Sequence, residues 1–394
     1  MSLTRVQSRA SAAVAGAAPS LHVVTFGCQM NKYDSERVEG RFRREGWRTT
    51  ERMEEADLVL FNTCSVREHA EERVWSWLGE LRRAKERRPE LVIGVMGCMA
   101  QRVEGELFER AGHVDLVVGT RAFHRLPELV EDVRARRAAA ESDPRRIALA
   151  MGETPDAPRD GEPYAGGVHG SLTVMRGCDL NCAFCIVPAV RGRVLSRPVA
   201  DVVAEARWMV AQGARAITLL GQTVNSYGED LPEPGPGEPR GSGRGGRPAL
   251  ADLLDALEEL AGLARVRLIT LHPAYVTPAL ADAIARSSKC ERFLPLPAQS
   301  GSDRILRAMR RGYTVDLYRR RVELLRERVP DLELGSDWIV GFPGETERDF
   351  EASQALLEEQ GFAVNYVFKY SPRPATRAAA LEDSVTESVK KERN

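Results

Sequence analysis

Short apolar runs and amphipathic stretches alternate along most of this chain. In the first 130 residues four strand-like runs stand out: Leu21–Phe26, Asp57–Phe61, Leu91–Met96 and Val114–Val118. Between them, apolar residues recur with helical period over Tyr33–Glu45, Arg67–Glu86 and Val103–Arg110. Strands alternating with helices predict parallel βαβ units with right-handed crossovers. A second series follows, with candidate strands at Leu172–Met175, Ala216–Leu220, Val266–Leu271, Phe293–Leu296, Leu332–Val340 and Val364–Lys369. Helical patterns such as Val199–Gln212 and Asp349–Gln360 fill most of the gaps. Six such units without closure predict a partial (β/α)6 barrel, with its site at the carboxyl ends of the strands. The expected fold class is α/β: an N-terminal parallel βαβ domain, then the partial barrel.

The 394 residues suit two or three domains. Residues 1–20 are Ala/Ser-rich with Arg5 and Arg9 and read as a disordered extension, loosely like a transit peptide. Residues 21–135 form the first domain, 136–165 a linker and 166–380 the barrel, leaving 381–394 as the start of something further. Between Leu231 and Pro248 a Pro/Gly/Arg-rich insertion reads as a mobile, solvated spacer. Formal net charge is −1, so contact with nucleic acid must come from local patches. Arg82–Arg88 and Arg307–Arg311 are two such patches, and each also reads as a solvated helix face. No apolar run approaches the ~18 residues of a membrane span. Seven cysteines, an odd number in a long chain, favour a reducing, cytoplasmic setting over a disulfide framework.

Cys178, Cys182 and Cys185 follow the first barrel strand with the spacing C-x3-C-x2-C. Three thiolates on one loop can hold three irons of a four-iron cluster and leave the fourth open to another ligand. Zinc is the rival occupant, but it wants a fourth ligand, usually from a second pair, which this loop lacks. Upstream, the first three strands each end near a cysteine: Cys28, Cys64 and Cys98, 36 and 34 residues apart. Equivalent strand ends of a parallel sheet converge on one place. These three therefore read as a second metal cluster, against the alternative of three small buried side chains. Gln222, Asn225, Gln299, Gly341 and Glu345 stand just past other barrel strands. Amides there can read the edges of a small molecule, and Gly341 and Gly344 would let backbone approach it closely. Each also has a plain structural reading in turns or helix caps. Cys290 reads as a buried non-ligand.

Several segments together resemble a known family. They are Thr25–Asn31 (TFGCQMN), Asn62–Glu68 (NTCSVRE), Gly97–Arg102 (GCMAQR), Arg176–Arg193 around the cysteine loop, and Phe368–Pro374 (FKYSPRP). They resemble the methylthiotransferases of the radical S-adenosylmethionine superfamily, and most closely the MiaB-type tRNA enzymes. The resemblance covers roughly 21–390. It implies one [4Fe–4S] cluster on Cys28, Cys64 and Cys98 and another on Cys178, Cys182 and Cys185, the second binding S-adenosylmethionine. The implied reaction adds a methylthio group to C2 of isopentenyl-adenosine beside a tRNA anticodon. The implied partners are that tRNA, a flavodoxin- or ferredoxin-type electron donor and a sulfur source, with no membrane. Sister branches modify threonylcarbamoyl-adenosine or a ribosomal-protein aspartate, and an iron–sulfur electron-transfer or carrier protein is the non-enzymatic alternative. Family members usually add a C-terminal RNA-binding TRAM domain, whose missing or truncated start would be 381–394. Ala189-Val190, Val194 and the 231–248 insertion depart from the family pattern.

Overall fold

A computed structural model of the protein describes residues 18–65, 68–152 and 167–394. The extension at 1–17 and the stretch 153–166, most of the expected linker's second half, lie outside the described residues.

The N-terminal domain contains β1 (Ser20–Thr25), α1 (Gln29–Arg44), β2 (Arg48–Thr49), β3 (Leu58–Thr63), α2 (Glu68–Arg87) and β4 (Val92–Gly97). It continues with α3 (Cys98–Val103), α4 (Glu106–Arg110), β5 (Leu116–Val118), α5 (Leu126–Ala138) and β6 (Arg146–Ala148). The strands form one sheet in the order β2-β1-β3-β4-β5-β6. Every neighbouring pair is parallel. Alternation buries both faces of the central strands. Val59, Phe61, Ile93 and Val95 face one core with Val74 and Leu78 of α2. Leu58, Leu60 and Val92 face the other with Phe42 of α1 and Val130 of α5. The strand order reverses at β1 and β3, which opens a crevice at their carboxyl ends where such sheets bind ligands.

The second half comprises β7 (His169–Thr173), β8 (Met175–Arg176), α6 (Val187–Arg191), β9 (Leu195–Ser196), α7 (Val199–Ala211), β10 (Ala216–Leu220), α8 (Leu250–Glu258) and β11 (Arg265–Leu268). It ends with α9 (Pro278–Arg286), β12 (Phe293–Pro295), α10 (Asp303–Ala308), α11 (Val315–Arg328), β13 (Glu333–Val340), α12 (Glu347–Gln360), β14 (Val364–Lys369) and α13 (Glu387–Arg393). Two parallel sheets, β7-β10-β11 and β12-β13-β14, are joined by a parallel bridge from Val266 to Cys290. Six parallel strands in chain order, with helices on the outside, make the expected partial barrel. Cys290 is buried in its core.

Two boundaries differ from the expectation. The segment 136–165 was expected to link the domains, yet α5 runs to Ala138 and Arg146–Ala148 adds a sixth strand. Ala and Arg are good helix formers, so an Ala/Arg run continues a helix as readily as it makes a linker. The strand is short, on the sheet edge, and only Ala148 of its three residues is buried, so its apolar signal is faint. The segment 381–394 folds back on the barrel through α13. Lys390 is buried with its stem against Gly341 and its ammonium 5.6 Å from the Tyr370 ring centre. A long cationic side chain can cover apolar surface in this way. The 231–248 insertion is largely exposed and closed at its neck, where Arg247 donates to the Leu231 carbonyl and pairs with Glu233.

Candidate functional site

The first cysteine triad is assembled by glycines and amides at the sheet's carboxyl edge. A Cβ on Gly27 (φ +141°) would lie 2.6 Å from the Cβ of Cys64. Only glycine lets the ends of β1 and β3 come this close. A Cβ on Gly97 (φ +98°) would lie 2.6 Å from Asn62 Oδ1. The Asn31 amide ties the loops together. Its Oδ1 accepts from Cys28 Sγ at 3.1 Å, and its Nδ2 donates to Asn62 Oδ1 and the Thr63 carbonyl. A hydrogen bond with Cys64 holds the Cys28 thiol below its ordinary range, with help from Arg191 and against burial. Burial pushes Cys98 up, and Arg191 opposes it. The sequence expectation that these three cysteines share strand ends therefore matches their placement.

The second triad sits on the loop after β8. Gly177 (φ +75°) admits no side chain, because a Cβ there would lie 2.0 Å from the Arg193 carbonyl oxygen. Backbone bonds hold the loop: Cys178 N–H to the Gly192 carbonyl, Ala183 N–H to the Met309 carbonyl, and Ala378 N–H to the Ala183 carbonyl. Cys178 Sγ lies 3.5 Å from Thr223 Oγ1. Arg311 donates to Cys182 Sγ at 3.2 Å. Burial pushes Cys178 up and Cys185 up to about 12. Buried neutral thiols give up their protons when a metal binds them. The placement of Arg311 departs from its reading as part of a solvated face. Helix α10 ends at Ala308, and Arg310 takes φ +56°, turning Arg311 inward.

One short helix lies between the triads. Ile186 and Val190, at either end of α6, pack with Cys98 in a small apolar cluster. Arg191, its last residue, is buried and donates to Asp34 Oδ2 at 3.1 Å, while Arg176 donates to Asp34 Oδ1 at 2.7 Å. Asp34 is fully buried on α1, six residues after Cys28. Thr120 donates to the Val190 carbonyl, and Arg121 donates to the carbonyls of Arg191 and Arg193. Met30 and Tyr33 pack on Leu220 of β10. The first domain thus closes over one side of the barrel mouth. No local pattern marks Asp34, since its partners stand 142 and 157 residues away.

The other predicted positions divide. Among the described residues, buried Gln222 Oε1, Gln299 Oε1 and Tyr370 Oη have no hydrogen-bond partner. All three residues lie just past barrel strands. Buried polar atoms are normally satisfied, so these suit a polar ligand. Gln299 also holds a left-handed φ of +65°, a strain that gathers at functional sites. Asn225 is occupied instead, since its amide brackets the backbone of His272. Glu345 accepts from Gly341 N–H at 2.6 Å and from Arg393 at 2.8 Å. The open side of Gly341 is filled by the Lys390 stem, so its lack of a side chain serves helix packing. Among the described residues no three His, Cys, Asp or Glu side chains converge on a single-ion position. A four-iron cluster is larger than one ion and spreads its thiolates more widely, so the donor chemistry of both triads fits clusters.

Comparisons with known proteins agree with this geometry. Residues 20–119 match the family described as Uncharacterized protein family UPF0004, and residues 172–357 match the Radical SAM superfamily. Curated relatives named tRNA-2-methylthio-N(6)-dimethylallyladenosine synthase occur in Ectopseudomonas mendocina (strain ymp) and Stutzerimonas stutzeri (strain A1501). They are 42% and 41% identical to this chain, each over 95% of it and 80% of the relative. Among solved structures, the radical S-adenosylmethionine methyltransferase TsrM from Kitasatospora setae superposes with a TM-score of 0.66 at 18% identity, covering 92% of this chain and 75% of that one. The radical enzyme OxsB superposes with a TM-score of 0.58 at 12% identity, covering 87% and 52%. These two likenesses establish a shared fold. With two family domains in order and relatives above 40% identity over nearly its whole length, the chain belongs to the tRNA-2-methylthio-N(6)-dimethylallyladenosine synthase family of radical S-adenosylmethionine enzymes.

Proposed function

We propose that this chain adds a methylthio group to C2 of isopentenyl-adenosine beside a tRNA anticodon. The observation that carries the reading is the pair of cysteine triads flanking α6, within a family whose relatives bear that activity in their names. On this reading Cys28, Cys64 and Cys98 hold one [4Fe–4S] cluster. Cys178, Cys182 and Cys185 hold a second, with Gln222 and Gln299 facing S-adenosylmethionine. Bound there, the clusters and S-adenosylmethionine supply sulfur and 5′-deoxyadenosyl radical chemistry.

The chain's own residues position and shield these groups. Arg311 and Arg191 place buried positive charge beside the two sets of thiolates, offsetting the charge that metal binding brings into the interior. Ile305, Met309, Phe342 and Tyr370 back the loop around Ala183 and keep water from that side. An electron donor of the flavodoxin or ferredoxin type and a sulfur source complete the reaction. No helix among the described residues is long and apolar enough to cross a membrane, and we place the enzyme in the cytoplasm.

Anaerobic reconstitution tests the reading. About eight irons per chain are expected, from two four-iron clusters, and about four in a Cys28→Ala/Cys64→Ala/Cys98→Ala variant. S-adenosylmethionine and reductant should then yield 5′-deoxyadenosine. With prenylated tRNA, nucleoside analysis should find the 2-methylthio base. Eight irons without 5′-deoxyadenosine would point instead to a cluster carrier.

A further inference from the structure

The inner wall of the barrel is divided in character. Strand register shows which side chains share a face. Ser171, Thr218 and Arg267 are aligned across β7, β10 and β11, so that part of the wall is polar. On β13 and β14, Gly335 aligns with Val364, Asp337 with Tyr366 and Ile339 with Phe368. The alternate residues Leu334, Trp338 and Val367 pack outward against Tyr318 and Val322 of α11 and Leu356 of α12. Side chains alternate along a strand, so Asp337, Ile339, Tyr366 and Phe368 face inward. Ile339 packs on the apolar cluster that contains Ala183 and Phe184 of the cysteine loop. The wall is therefore continuous with the candidate site.

This wall is also unusually open. Val364, Tyr366 and Phe368 are three of the seven large apolar side chains exposed among the described residues, all at alternate positions of one strand. Tyr366 is 59% exposed and Phe368 52%, and their rings stack at 6.5 Å with 26° between planes. Among the described residues β14 pairs only with β13. On the same wall, the Phe293 ring approaches to 2.8 Å of where a Gly335 Cβ would stand, so β13 has a gap there that the ring fills. Burial pushes the Asp337 carboxyl up.

We propose that Tyr366 and Phe368, with Asp337 beside them, form the seat for the substrate's adenine ring. The proposal rests on the methylthiotransferase reading above. An enzyme that reacts at a base carbon must take the base out of its stack, and an aromatic pair restores the lost stacking. An adenine bearing a prenyl chain offers a flat ring and an apolar tail to these side chains. Its single N6–H is a donor that an aspartate oxygen can accept. The seat lies across the barrel from Thr173 and Leu220, whose inner faces meet Met30 and Tyr33 next to the first triad. A base held there would stand in the barrel mouth that both domains share.

The test uses the reconstituted protein and a short anticodon stem-loop RNA carrying a prenylated adenosine. KM and kcat for methylthio transfer are measured, with RNA binding followed by fluorescence anisotropy. Tyr366→Ala and Phe368→Ala should each raise KM and Kd roughly ten- to a hundredfold, with a much smaller change in kcat. Tyr366→Phe should restore binding, and Trp77→Ala, an exposed aromatic change on α2, should leave KM alone. Iron content reports whether each variant is intact. Alanine variants that bind and turn over like the wild type would overturn the seat while leaving the reaction intact. A wild-type dimer that dissociates on Tyr366→Ala would assign the face to a second copy, and also overturn it. Wild-type protein that cleaves S-adenosylmethionine yet never modifies this RNA would remove the methylthiotransferase reading itself.

Discussion

Single positions decide whether each cysteine loop can form. Gly177 combines a left-handed backbone with a carbonyl oxygen 2.0 Å from where a Cβ would sit. Neither the backbone nor that oxygen can yield cheaply, so Gly177→Ala should lose the second cluster. Iron analysis should fall from about eight to about four per chain, with 5′-deoxyadenosine formation abolished. Gly46→Ala is the control, since Gly46 is also left-handed (φ +84°) but has open space around it. A full iron complement in Gly177→Ala would contradict this account. The cysteines were legible as residues because thiolate chemistry belongs to the side chain. Arg311 was not, because its role depends on where α10 stops, and helical spacing continues smoothly through Arg307 in the sequence.

At the level of elements, Asp349 joins two helix starts. Its carboxylate accepts from the N–H and hydroxyl of Thr346, the residue capping α12, and from Ser302, the cap of α10, with Arg304 alongside. Burial alone would raise its pKa, but the bonds from Arg304, Ser302 and Thr346 outweigh it and hold Asp349 below the ordinary carboxylate range. The folded protein then binds fewer protons than the unfolded chain. The stabilisation is full above about pH 4 and fades as pH falls toward the lowered value. Asp349→Asn should cost about 1–2 kcal/mol at neutral pH. In chemical denaturation its gap from the wild type should narrow toward pH 3, and a gap that widens in acid would refute the argument. Most strands were legible because buried runs of five or six residues carry their own signal. The edge strand β6 and the helix α13 were not, since one is three residues long and the other is held by a buried lysine.

For the whole molecule, the decisive contact is the buried triad Arg176–Asp34–Arg191, which joins α1 to both flanks of the cysteine loop. Removing the one negative charge leaves two guanidinium groups without it in the interior, which costs about 3–5 kcal/mol. In calorimetry the wild type should unfold in one transition and Asp34→Asn in two, the domains having lost their shared ion pair. A single, unshifted transition in Asp34→Asn would show that the domains are coupled by other means. The sequence by itself determined that this is an α/β protein with two sets of three cysteines suited to metal, because periodicity and thiol chemistry are local properties. Tertiary structure alone decided that both sets flank α6, that Arg191 and Arg311 place their charges beside them, and that Tyr366 and Phe368 face the barrel interior. Those facts depend on strand register and on partners seventy or more residues apart, and no local pattern encodes either.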